Sequence, residues 1–146
     1  MTANQKPWVV VDTNVWLSAL IFGGSPGKIL ELFIDGATLV VVSEELLSEL
    51  RRKITEKFPL YLPQLGLLEA SIRQDAILVE LGARTVKVSR DSDDNKFIET
   101  ALIGRCGYII SGDKDLLTIG SYQGVEIVTP AAFLIIMKPL RLRDHL

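Results

Sequence analysis

Short apolar runs rich in β-branched residues recur along the chain. They are Trp8–Val11 (WVVV), Leu39–Val42 (LVVV), Tyr108–Ser111 (YIIS) and Val125–Val128 (VEIV). Runs of this length with little polar interruption suit strands buried on both faces of a parallel sheet. RTVKV at 84–88 reads as a further strand. Between these runs the apolar spacing is helical. Residues 14–22 predict a short helix, and GGSPG breaks it. Ser25 with Pro26 reads as an N-cap and first-turn proline of a helix ending near Asp35, with Gly36 as its stop. Ser43 caps a helix running to Lys57, where Phe58-Pro59 ends it. A helix over about 64–81 stops at Gly82. RDSDDN turns into a helix ending at Ile103, GDKD is a turn, and Thr129-Pro130 caps a closing helix, AAFLIIM.

Strands therefore alternate with helices. The expected fold is α/β, a three-layer α/β/α sandwich on a central, mostly parallel sheet with right-handed crossovers. No repeat or linker divides the chain. One domain over 1–146 is expected, with its core at about 8–136 and a short, more basic tail, KPLRLRDHL, read as a solvated terminus.

Composition narrows the chemistry. Hydrophobic residues make up 48% of the 146, which argues against disorder. The net charge of -2 carries no chain-wide positive field, so any basic surface for nucleic acid must be local. One cysteine, Cys106, precludes an internal disulfide, and its setting in an apolar run reads as packing. The sole histidine, His145, lies at the C-terminus, so a histidine-based triad is not expected and Cys/His metal sites lack ligands. With no signal peptide and no long apolar run, the expectation is a cytoplasmic protein without a membrane partner.

Carboxylates remain, and their positions are informative. Asp12 ends the first strand and Asp113 follows YIISG. Ligands of open α/β sheets collect beyond the carboxyl ends of strands, although each aspartate can equally cap the turn or helix that follows it. In the helix ending at Ile103, Asp94 shares the inward face of Phe97, Ile98 and Ala101, while Asp93 points about 100° away. A carboxylate there needs compensation, by a helix N-terminus or a bound cation. On SEELLSELRRK, Leu46, Leu47, Leu50 and Ile54 form the apolar face and Glu45 faces solvent. Glu44 and Glu49 flank that face at roughly 105–115° from its centre. Periodicity does not choose between them, and Glu49 is also spaced to pair with Lys53. Clustered acids without histidine or an available cysteine form an oxygen-only set suited to Mg²⁺ or Mn²⁺ and to phosphoryl transfer.

VVVDTNVWLSAL, VVSEELLSEL, DSDDNKFIETAL, IISGDKDLL and VEIVTPAAFL, in that order over about residues 8–136, resemble the PIN-domain family, and in particular PIN proteins described as toxin components of type II toxin–antitoxin systems. The resemblance implies a compact α/β/α nuclease fold and Mg²⁺- or Mn²⁺-dependent cleavage of RNA. It places the family's acids on Asp12, Glu49, Asp94 and Asp113, with Asp115 adding to the metal site. In doing so it selects Glu49 over Glu44. Thr13, Asn14 and Ser111 are implied as hydrogen-bonding supports of the carboxylates, and Lys96 and Lys114 stand as candidate phosphate contacts. The mechanism implied is in-line hydrolysis assisted by one or two ions, with no covalent intermediate.

Two rival readings stay open. Asp-x-Asp phosphatases of the haloacid dehalogenase type also end a first strand on aspartate, but Asn14 stands where their general acid would be. A non-catalytic PIN-like module binding RNA or protein is the other. The leucine-rich LYLPQLGLL exceeds what one helix face needs, which suggests a homodimer surface or an antitoxin groove beside core packing.

Overall fold

A computed structural model describes residues 6–82 and 94–144. Among the described residues, six strands form one sheet in the order β3-β2-β1-β4-β6-β5. β1 (Trp8–Val11) pairs in parallel with both β2 (Leu39–Ser43) and β4 (Tyr108–Ile110). β3 (Ile77–Val79) extends the β2 side in parallel, and β6 (Val125–Val128) extends the β4 side in parallel. β5 (Ser121–Tyr122) closes that edge antiparallel to β6. Val9, Val10 and Val11 are each no more than 2% exposed. Side chains alternate across a strand, so near-zero exposure of three in a row requires cover on both faces. The helices supply that cover, and the expected mostly parallel α/β architecture is what is found.

α1 (Thr13–Ile21) and α2 (Gly24–Ile34) meet through Trp16 and Phe33, whose rings pack edge to face at 5.8 Å. α3 (Glu44–Lys57) buries Leu46, Leu47, Leu50 and Ile54, as its periodicity predicts. A 3₁₀ turn (Pro59–Tyr61) leads into α4 (Leu62–Asp75). α5 (Asn95–Ile103) buries Phe97, Ile98 and Ala101. α6 (Lys114–Ile119) follows β4, and α7 (Pro130–Asp144) follows β6. Thr129 accepts the Ala132 N–H through its hydroxyl, so the cap read at Thr129-Pro130 forms.

Four local readings need correction. α2 starts at Gly24 with Gly23 as its N-cap, both at positive φ, so Ser25 lies inside the first turn. Glycine reaches that backbone region without strain, and this displaces the serine cap. Pro26 still fits, because first-turn N–H groups have no intrahelical acceptor. The helix read over 64–81 ends at Asp75, and Ile77–Val79 joins β2 as a parallel strand. AILV continues the apolar spacing of the helix, and only pairing to β2 marks it as extended. GDKD is more than a turn, since Asp113 caps α6. The closing helix runs on past AAFLIIM to Asp144, through Pro139, taking in most of the tail read as a solvated terminus. The strand read at 84–88, the turn through Asp93, and His145 lie outside the described residues. Cys106 is 5% exposed in the core, and burial pushes its thiol pKa up to about 12, consistent with packing.

Candidate active site

Strand order reverses at β1: the chain moves to β2 and β3 on one side, then to β4 and β6 on the other. The carboxyl ends of β1 and β4 lie together at this switch, with Val11 in register with Ile110. Asp12 follows β1 and donates its N–H to Ile110 O at 2.9 Å. Ser111 follows β4. Its hydroxyl donates to Asp12 Oδ2 at 2.7 Å and accepts the Asp113 N–H at 3.0 Å. One buried serine thus ties the two strand ends and both aspartates together.

Asp12 Oδ1 accepts the Asn14 N–H at 3.0 Å, and Asp113 Oδ1 accepts the N–H groups of Asp115 and Leu116 at 2.7 and 3.3 Å. Both acids are N-caps, of α1 and α6. Capping and site membership are therefore not alternatives here, because the cap bonds orient the carboxylates. Asp94, 5% exposed, precedes α5. One carboxylate oxygen from each of Asp94, Asp113 and Asp115 falls in a group spanning no more than 4.8 Å. This oxygen-only triad fits a hard divalent cation.

Glu49 lies across Thr13 from Asp12 and is 8% exposed. Lys96 Nζ donates to its Oε1 at 2.6 Å, and the Thr13 hydroxyl donates to Oε2 at 2.6 Å. Lys53 Nζ stands 3.9 Å from Oε2 and donates to Thr13 Oγ1 at 3.3 Å and to Asn14 Oδ1 at 3.0 Å. Glu49 is therefore held by Lys96 and the Thr13 hydroxyl, with the Lys53 ammonium close by. Glu44 instead points outward to Arg73, with contacts of 2.7 and 3.0 Å. Thr13, Asn14 and Ser111 each hydrogen-bond an acid, and Lys96 serves Glu49 as an ion-pair partner. Lys114 is exposed at the start of α6. Lys53 is a site residue that sequence suggests only as a pairing alternative. Its i+4 spacing from Glu49 is the available signal, while its reach to Asn14 depends on α1 packing against α3.

Asp12 and Glu49 are shifted in opposite directions. Burial pushes Asp12 above the ordinary aspartate value, against the hydrogen bonds from Ser111 and Asn14. Burial also pushes Glu49 upward, but its bonds to Lys96 and Thr13 and the nearby lysine charges bring it below its ordinary value. A carboxyl with a raised folded pKa contributes stability below its unfolded value, 3.8 here, and that contribution is lost as pH rises through the folded value. Asp12→Asn removes this loss. Without divalent ions it should match wild type near pH 3.8 and be the more stable of the two at pH 7. Thermal unfolding at the two pH values tests this, and a less stable Asp12→Asn at pH 7 would contradict it.

A structural comparison finds the same fold in a chain of the Rickettsia felis VapBC2 complex, solved bound to a DNA fragment from their promoter. The TM-score is 0.56 at 11% identity, over 82% of this chain and 96% of that one. In sequence, an uncharacterised protein of Methanocaldococcus jannaschii is 38% identical over 115 residues, covering 76% of this chain and 74% of its own. The family model described as PIN domain matches residues 8–115, from the strand that carries Asp12 to the helix start that carries Asp113 and Asp115. With most of its length and the whole acidic cluster inside that match, the chain belongs to the PIN-domain family.

Proposed function

We propose that the chain is a divalent-metal-dependent endoribonuclease, the toxin of a toxin–antitoxin pair, acting in the cytoplasm on RNA with Mg²⁺ or Mn²⁺. The observation that carries this reading is the convergence of Asp94, Asp113 and Asp115 oxygens within 4.8 Å where β1 and β4 end. Asp94, Asp113 and Asp115 would hold the ion, with Asp12 beside them, steadied by Ser111 and Asn14. The ion supplies activation of water and stabilisation of charge developing on the phosphate oxygens. Glu49 stays ionised between Lys96 and Lys53. Lys96, paired with Glu49 at the edge of the acidic cluster, would be a candidate for contact with the substrate phosphate. Lys114, exposed at the start of α6, is the second candidate for phosphate contact.

Family membership supports the nuclease class. The fold shared with a chain of VapBC2 supports an antitoxin partner, and the DNA in that structure belongs to that complex. Leu60 and Leu67 are 88% and 73% exposed, an apolar surface for the proposed antitoxin or for a second copy in a homodimer. The test is cleavage of a mixed RNA pool with Mg²⁺ or Mn²⁺, with and without EDTA. Cleavage is expected only with the metal. An ion at a hundred times its Kd should also stabilise the fold by about 2.7 kcal/mol, a rise in Tm of roughly 5–10 °C that EDTA reverses. Cleavage in excess EDTA, or neither cleavage nor thermal shift with either ion, would refute the proposal.

A further inference from the structure

Beside the acidic cluster lies a cleft of about 440 Å³, with Asp113 and Asn14 on its border. Its size falls within the range of small-ligand sites, roughly 300–1,000 Å³. Its polar lining is Asn14, Ser18, Ser25 and Thr129, and its apolar walls include Val15, Pro26 and Pro130. Among the described residues, no lysine, arginine or histidine lines it. A site without a cation, bordered by a carboxylate, does not attract phosphate. It suits a flat, uncharged group that offers hydrogen-bonding edges.

The lining is prepared for such a group. Asn14 Oδ1 is engaged by Lys53, so the amide nitrogen is the end left to donate. The Thr129 oxygen accepts the Ala132 N–H, which leaves its hydroxyl proton to donate. The hydroxyls of Ser18 and Ser25 have no hydrogen-bond partner among the described residues, and each can donate or accept. Proline rings and Val15 supply flat apolar cover for a ring face. We propose that this cleft is a nucleobase subsite: it takes one unpaired base of the RNA next to the bond presented to Asp94, Asp113 and Asp115, and so sets base preference. Single-stranded RNA is read in this way, by splaying a base out and hydrogen-bonding its edge. The proposal rests on the ribonuclease reading for its place in catalysis, but binding of a base can be measured without turnover.

The experiment titrates the full chain, metal-free, with adenosine, guanosine, cytidine and uridine, and follows backbone amide signals by NMR. At least one nucleoside should shift Ser18, Ser25, Gly112 and Ala131, and Ser18→Leu or Ser25→Leu should weaken it at least tenfold. Two fillers at separate positions guard against a folding defect in either, which thermal unfolding would reveal. In the cleavage assay the same variants should redistribute cut sites by base at least tenfold. No shift at the cleft with any nucleoside, or cut sites unchanged in both folded variants, overturns the subsite and leaves the nuclease reading standing. Nucleoside binding at the cleft with neither cleavage nor thermal shift under Mg²⁺ or Mn²⁺ upholds the base site and refutes the nuclease reading.

Discussion

Asp94→Asn is expected to lower RNA cleavage by about 10³-fold, roughly 4 kcal/mol of transition-state stabilisation, while the protein stays folded. Asp94 is 5% exposed and contributes one of the three oxygens that lie within 4.8 Å of one another. Asparagine keeps the shape and loses the charge. A cation is held by the negative charge of these three carboxylates, so neutralising one weakens the ion's hold. The variant should therefore lose most of the stabilisation by Mg²⁺ or Mn²⁺. Cleavage rates at saturating metal, with thermal unfolding as the control, check both parts. Wild-type cleavage by folded Asp94→Asn would remove the triad from the mechanism.

Phe133→Ala should cost more stability than any substitution at the acidic cluster or the cleft, about 3–5 kcal/mol. Phe133 is fully buried in α7, with its ring edge-to-face against Tyr108 of β4 at 5.4 Å. Alanine leaves a cavity that the sheet, packed on both faces, cannot close. Denaturant unfolding would report the loss directly, and Tm should fall by roughly 10 °C. The substitution also loosens the start of α7, where Thr129 and Pro130 form one wall of the cleft. Nucleoside binding should weaken in this variant more than metal binding. A loss under about 1 kcal/mol would mean that α7 does not anchor the β4 side of the core.

Much of the arrangement was legible in the chain. Apolar runs such as VVV and LVVV can be satisfied only inside a sheet covered on both faces, and periodicity set the buried face of α3. The aspartates at strand ends were readable for the same reason, since a charge that ends a buried run must emerge at the sheet's edge. The position of Asp94 followed from Phe97, Ile98 and Ala101 on one helical face.

Boundaries were less legible where two patterns overlap. AILV after α4 reads equally as helix or strand, and its pairing with β2 decides. Ser25 has the chemistry of a cap, but Gly23 and Gly24 at positive φ start the helix earlier. Between Glu44 and Glu49, helical spacing was silent. Packing of α3 against α1 and α5 placed Glu49 among Thr13, Lys53 and Lys96 and turned Glu44 outward to Arg73.

By itself, then, the sequence determined the fold class, the strand ends that carry acids and the oxygen-only chemistry, because these depend on local pattern and residue type. Tertiary structure alone decided that Glu49 lies between Lys96 and Lys53 and that a cation-free cleft opens beside Asp113. Those outcomes require segments far apart in the chain to meet, and no local spacing encodes the distance between them.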